Sequence, residues 1–400
     1  MNNKAILFLV EDKHQFKFFS RFKNVVVNNN LIPIYLMLNY SMHLDAEKKK
    51  YNSIYIGTQC GFDCQLQSKN KAKNNNKEIS HTYISLFKVI NEIEKRYEVE
   101  RIFLWNGATN CGQICQSLLK GRIVFFELAN IPGKTFCDSK GVNRLASFYK
   151  DISIIDSLPL DIQKYNIWLE KYLKIKFSDY VIPQARKNKE KWSEKIHNII
   201  LDYYGIFFKG GCNENQYSLV RRTFLFLKKL VTNKETIKKE AFDSYNYVDN
   251  DYVFYPMQCV NDTQLIYNSH VNNLEAIQIA YNYSQLNQLD LVIKLHPVEA
   301  KEKNIKQLRN YLHKKNITAY IVNANTMELL NNAKHVYTIN STVGLEAMIL
   351  NKPLTILGYS LYDNFDDMRL KKYITEYLID SDPYDVVEFN DEQFYKIINQ

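Results

Sequence analysis

No run of apolar residues in this chain approaches the ~18 that a membrane-crossing helix needs. The N-terminal candidate, Ala5 to Val10, is six residues long and ends at Glu11-Asp12. It reads as a first β-strand, and not as a signal peptide or membrane span. Metal-ligand spacing is also missing. Cys60/Cys64 and Cys111/Cys115 have C-x3-C spacing, whereas structural zinc sites favour C-x2-C or C-x4-C with clear His partners. The expectation is therefore no metal. An odd count of seven cysteines in a long chain argues for a reduced, cytoplasmic setting. Nucleic-acid signals are absent as well: the basic runs Lys48 to Lys50, Lys69 to Lys77 and Arg186 to Lys195 do not alternate with aromatics. They read first as solvated surface, and second as an attraction for an anionic membrane face or an anionic donor.

What is present is globular. Of 400 residues 46% are hydrophobic and 14% aromatic, and 52 basic against 43 acidic residues leave a mild +9. That length suggests two domains at roughly 100–200 residues each. Buried-type strands at Ala5 to Val10, Leu31 to Met37, Ser53 to Gly57, Arg101 to Trp105 and Ile123 to Phe126 alternate with helices at His14 to Asn24, Ser80 to Arg96 and Gly112 to Leu119. Residues 65 to 79 read as a polar loop. Alternation of this kind means a mainly parallel sheet with helices on both faces.

Pro132-Gly133, Gly141 and Pro159 then break the rhythm, and Asp161 to about Lys239 reads as charged helices. Strands resume at Tyr252 to Tyr255, Leu289 to Leu295, Thr318 to Val322, Val336 to Ile339 and Pro353 to Leu357. Between them lie helices at Leu274 to Ser284, Ile305 to Lys314 and Thr326 to Asn332. The reading is an α/β fold of two Rossmann-like halves, residues 1–160 and 246–400, joined by a helical connector at 161–245. Ligand would lie between the halves, at the carboxyl ends of strands.

The most informative stretch is His335 to Leu350. A short strand runs into Asn340-Ser341-Thr342, each a good N-cap residue, and then into a helix carrying Gly344 and Glu346. Strand, polar turn and helix N-terminus together make an anion site. Glu346 in the first turn could accept from sugar hydroxyls, which suggests the phosphate and ribose end of a nucleotide-sugar site. An ordinary βα turn would use the same residues.

Other polar segments also fall at predicted strand ends. His296-Pro297 closes the strand that carries Lys294, so proline fixes the imidazole at the strand mouth. There it could meet a phosphate or stabilise a nucleotide leaving group, or simply be satisfied by backbone. Gln258 and Asp262, with Asn261 and Gln264, suit sugar hydroxyls or a plain turn. Glu127, directly after its strand, could serve as base or nucleophile. Asp138 is a second carboxylate candidate that could equally pair with Lys140. Trp105 suits the core, and Asn106-Gly107 a turn that also touches ligand.

At these residues the chain resembles the capsule polysaccharide biosynthesis proteins, in the KpsS-like branch of bacterial β-Kdo transferases. The matching pieces are Trp105-Asn-Gly107, Phe125-Phe-Glu127 with Pro132, Asp138-Ser-Lys-Gly-Val-Asn143, Phe254-Tyr-Pro-Met-Gln258 with Asp262-Thr-Gln264, Lys294-Leu-His-Pro297, and Ile339-Asn-Ser-Thr-Val-Gly-Leu-Glu346. The resemblance implies a GT-B glycosyltransferase that moves Kdo from CMP-Kdo to a phosphatidylglycerol-type lipid, with no further cofactor. The setting it implies is cytoplasmic and peripheral at the inner membrane, beside other capsule assembly proteins. It places His296, Ser341 and Thr342 at the CMP phosphate and Glu346 at the ribose. Gln258, Asp262, Lys294, Pro297, Asn340 and Gly344 complete the donor set. Trp105, Asn106, Gly107, Lys140 and Asn143 go to the acceptor, and Glu127, Asp138 and His296 to catalysis.

One departure stands out. Where the family usually shows Asn-Gly or Asp-Gly after the glutamate, this chain has Leu128-Ala129. If a retaining mechanism uses that position as nucleophile, Glu127 or Asp138 must serve instead. A transferase with another donor or acceptor, and a non-catalytic scaffold of capsule assembly, remain open readings.

Overall fold

The computed structural model of the chain describes residues 3–57, 75–178, 192–211, 219–227, 241–260, 265–266 and 268–400. Two compact units emerge. The first comprises Met1–Val142, Ile182–Asn233 and Leu378–Gln400, and the second Asn143–Val181 and Lys234–Tyr377.

The first unit is built on a six-stranded sheet: β1 (Asn3–Val10), β2 (Ile32–Met37), β3 (Ser53–Tyr55), β4 (Tyr97–Trp105), β5 (Ile123–Leu128) and β6 (Thr135–Asp138). The strand order is β3-β2-β1-β4-β5-β6, with only β5–β6 antiparallel. The order reverses between β1 and β4, as in a Rossmann unit. Ala5 to Val10 are buried throughout, because helices cover both faces of a parallel strand. Around Phe8 gather Phe19, Phe22, Tyr35 and Phe103, with ring centroids 4.8–5.9 Å apart.

The second unit holds β7 (Tyr252–Pro256), β8 (Asp290–Lys294), β9 (Tyr320–Ile321), β10 (His335–Thr338) and β11 (Leu354–Ile356). All are parallel, in the order β11-β10-β7-β8-β9. Its switch point therefore falls between β7 and β10. Val253, Tyr255, Ile293, Ile321 and Tyr337 pack there with Ala276, Ile277 and Ala280 of helix Asn273–Leu286.

Several differences from the sequence reading have physical causes. Residues 75–79 belong to helix Asn75–Glu94 and not to a loop. Strand β6 and helix Tyr40–Lys48 have no counterpart in that reading: four residues give too little alternation, and the helix is weakly amphipathic. The compact units also differ from the consecutive blocks expected at 1–160, 161–245 and 246–400. The charged helical stretch is shared between the units, with helix Ile162–Phe177 in the second and helix Trp192–Phe208 in the first.

The C-terminal residues return to the first unit. Phe389 stacks on Phe22 at 3.9 Å, and Arg21 donates to the carbonyls of Val387 and Asp382 at 2.5 and 2.8 Å.

Candidate functional site

The switch point of the second unit is spanned by side chains of the loop after β7. Gln258 Nε2 donates to Asn340 Oδ1 at 2.8 Å, and its Oε1 accepts from the Asn340 backbone N–H at 3.0 Å. Gln258 is buried and held in turn by Asn273, whose Nδ2 donates to the Gln258 carbonyl and whose Oδ1 accepts from the Gln258 N–H. The next residue faces the opposite neighbour: Cys259 Sγ lies 3.0 Å from His296 Nδ1. Two consecutive residues of one loop thus tie together the ends of β8 and β10. Those ends are two strand spacings, about 10 Å, apart.

The His296 tautomer follows from its contacts. The Val298 N–H donates to Nδ1 at 3.3 Å, so Nδ1 is an acceptor and the proton of the neutral ring sits on Nε2. Among the described residues Nε2 has no hydrogen-bond partner, which leaves that N–H for a ligand oxygen. Pro297 is exposed and leads into the turn in which Glu299 and Ala300 donate to the His296 carbonyl.

Beyond β10, Ser341 is the N-cap of helix Thr342–Ile349, its Oγ accepting from the Val343 N–H at 3.2 Å. Ser341 N–H goes to Thr338 Oγ1 and Gly344 N–H to the Ser341 carbonyl. Thr342 is exposed and its N–H and hydroxyl have no partner among the described residues. It is the group of this turn that remains open to an anion. Gly344 serves packing instead: a Cβ there would lie 2.2 Å from the hydroxyl of Tyr362, which donates to the Ser341 carbonyl. The close approach that the glycine permits is by Tyr362.

Glu346 is buried and pairs with Lys176 of helix Ile162–Phe177 at 2.5 Å. Lys294, at the end of β8, donates to the Ala324 carbonyl at 2.6 Å and to Thr326 Oγ1 at 2.7 Å. Burial lowers the Lys294 amine to a pKa of about 8, against the pull of the Glu346 carboxylate. Two amines around one carboxylate leave net positive charge beneath the strand ends, suited to an anionic ligand. Lys176 carries no signal in the sequence. It stands 170 residues from its partner on a helix that reads as a solvated charged face.

The first unit shows a second constellation. Asn106 and Gly107, following β4, have φ of 61° and 75°, and Asn106 Nδ2 donates to Glu127 Oε2 at the end of β5. Glu127 Oε1 accepts from the Leu128 N–H at 2.9 Å. Burial raises the Glu127 pKa, and these two donors oppose the rise. A Cβ on Gly107 would strike the Phe125 ring at 2.5 Å, so the turn admits only glycine.

Trp105 packs against Phe18 and His14 at 5.1 and 5.2 Å, a core position. Asp138 is fully buried and accepts from the N–H groups of Lys140 and Gly141 at 2.5 and 3.1 Å, which commits its carboxylate to its own turn. The Lys140 side chain is exposed. Asn143 belongs to the second unit, at φ 55°. Asp262, with Asn261 and Gln264, lies outside the described residues.

Cys111 and Cys115 are buried on helix Asn110–Leu118, and burial pushes the Cys115 thiol well up, as it does for Cys137. Such thiols are unreactive.

Residues 212–366 match the family described as capsule polysaccharide biosynthesis protein. Over 138 residues the chain is 34% identical to the capsule polysaccharide export protein KpsS of Escherichia coli, covering 32% of this chain and 36% of that protein. Over 46 residues it is 52% identical to protein FixF of Sinorhizobium fredii (strain NBRC 101917 / NGR234), 12% of this chain and 11% of that protein. These matches span little more than a third of the curated relatives' length at most. Among solved structures, KpsC of Thermosulfurimonas dismutans, a beta Kdo 2,7 transferase, aligns over 99% of both chains with a TM-score of 0.41 and 13% identity.

The segments at 254–264, 294–297 and 339–346 fall inside the matched family segment, and those at 105–107 and 125–143 fall outside it. Residues 212–366 thus match the capsule polysaccharide biosynthesis family that the short motifs of the sequence resemble, and the similarity to KpsS extends over 138 residues.

Proposed function

We propose that the protein is a glycosyltransferase of capsule polysaccharide biosynthesis that moves Kdo from CMP-Kdo to a phosphatidylglycerol-type lipid. The observation that carries this reading is the second unit's switch point. One loop, through Gln258–Asn340 and Cys259–His296, holds an imidazole N–H donor and an open helix N-terminus about two strand spacings apart. Thr342 N–H and His296 Nε2–H then receive the CMP phosphate, and Lys294 supplies positive charge beneath it. Stabilising the departing nucleotide in this way is electrostatic catalysis.

In the first unit Glu127 is the catalytic carboxylate of the proposal. Burial raises its pKa, the direction that favours a proton-transfer role, and a covalent glycosyl-enzyme step would place it as nucleophile where Leu128 cannot serve. Asn106, which donates to Glu127, positions it and marks the acceptor side.

The test is incubation with CMP-Kdo and phosphatidylglycerol, followed by mass spectrometry of the lipid. Lipid carrying Kdo is the expected product, with Glu127→Gln lowering its formation by about 10²-fold or more at unchanged melting temperature. Transfer of a different sugar from another nucleotide, with none from CMP-Kdo, refutes the donor assignment.

A further inference from the structure

Helix Trp192–Phe208 and residues 219–227 reverse the polarity expected of surface helices. Their inward side carries polar and small residues beside the buried Leu219. Asp202, 3% exposed, accepts from the Ser41 N–H at 2.8 Å and from Arg222 at 2.9 Å, and Arg222 also reaches Asn39 Oδ1 at 3.1 Å. Gly205 sits so close to Tyr40 that a Cβ would lie 2.3 Å from it.

The outward side carries Trp192, Ile196, Ile200, Tyr204, Phe207 and Phe208, between 44% and 74% exposed. Their spacing of three or four residues puts them in one stripe. Val220, Phe224 and Leu227 repeat the pattern on the second helix, each more than half exposed. Trp192 and Phe226 join the two helices, with ring centroids 5.0 Å apart. A face this apolar in water marks an interaction site.

Charge says what covers it. Residues 186–239 hold 13 of the 52 basic side chains and 5 of the 43 acidic ones, a net +8 beside +9 for the whole chain. A second copy would bring the same positive segment against itself, whereas an anionic bilayer complements it. Aromatic and aliphatic side chains on one helical face, in a stretch of sequence with a basic excess and with Lys195, Lys209 and Arg221 on the described helices and the turn that follows the first, are the pattern of helices that lie in a membrane interface.

We propose that helix Trp192–Phe208 and residues 219–227 form the face by which this protein lies on an anionic lipid bilayer. The aromatic stripe enters the headgroup–acyl boundary, and Lys195, Lys209 and Arg221 meet lipid headgroups. The inference stands apart from the donor chemistry, because vesicle binding is read without nucleotide sugar.

Co-sedimentation of the full chain with phosphatidylcholine vesicles, with and without phosphatidylglycerol, tests it. Expected are partition onto the phosphatidylglycerol vesicles, release as salt is raised, and a loss of at least about tenfold in Phe207→Glu/Phe208→Glu. That double variant replaces exposed side chains, so its melting temperature should match the parent. The triple variant Lys195→Glu/Lys209→Glu/Arg221→Glu should lose partition with its apolar stripe intact. Equal binding to both vesicle types, or unchanged partition of the Phe207/Phe208 variant, would overturn the proposal. So would absent vesicle binding with a dimer, seen by light scattering, that the Phe207/Phe208 variant breaks.

Discussion

Glu346 and Lys176 form the pair on which the donor side rests most heavily at the level of single residues. Both side chains are largely buried, so removing one takes from the other its charge-assisted hydrogen bond inside the fold. Lys176→Met should cost about 3–5 kcal/mol in urea unfolding, and Lys176→Met/Glu346→Gln should recover most of it. A loss in the double variant equal to the sum of the two single losses would show that the pair is not coupled.

Lys294 gives a pH signature. Its folded pKa of about 8 lies below the ordinary lysine value, so below pH 8 the amine is charged in both folded and unfolded states and the burial penalty is fully present. From pH 8 upward the folded state releases the proton first, the unfolded state binds more protons, and stability gains from this group as pH rises towards the unfolded pKa. Nucleotide affinity should run the opposite way. It should fall as pH passes 8, and Lys294→Met should flatten that fall when affinity is measured by calorimetry.

At the scale of elements, the loop after β7 and the turn after β10 act as one piece through Gln258 and Asn340. Either single change to Ala leaves buried polar groups unpaired, at about 1–3 kcal/mol. The double variant should lose clearly less than the sum of the two, since both side chains meet in the Gln258 Nε2–Asn340 Oδ1 bond, while the bond from the Asn340 backbone N–H is lost only with Gln258.

How far such elements can be read from sequence depends on local punctuation. Helix Thr326–Asn332 coincides with its predicted span because Asn325 caps it with a side-chain hydrogen bond, and Asp161 likewise caps the start of helix Ile162–Phe177 within the stretch read as helical. Strand β6 has no such marks and exists by pairing with β5. The polar segments at strand ends are legible because an α/β sheet puts its loops there. Their partners are not: nothing local couples Gln258 to Asn340, Tyr362 to Gly344 or Lys176 to Glu346.

For the whole molecule, the alternation of strands and helices is enough to read two Rossmann-like sheets, and both reverse their strand order as that fold requires. The return of residues 378–400 to the first unit is not legible, since it depends on Phe389 reaching Phe22 and on Arg21 reaching two carbonyls. Long-range pairing of this kind leaves no periodic trace.

The central claim is that the open N-terminus of helix Thr342–Ile349 receives the phosphate of CMP. Thr342→Pro tests it most directly. Proline at the first helical position removes the N–H and keeps the helix, and Ser341 before it is already extended at φ −72°, ψ 150°. Calorimetric titration of the intact chain should show CMP binding more tightly than UDP in the parent, and at least about tenfold weaker CMP binding in Thr342→Pro at unchanged melting temperature. CMP binding that survives the substitution undiminished, or a preference for UDP, would contradict the account.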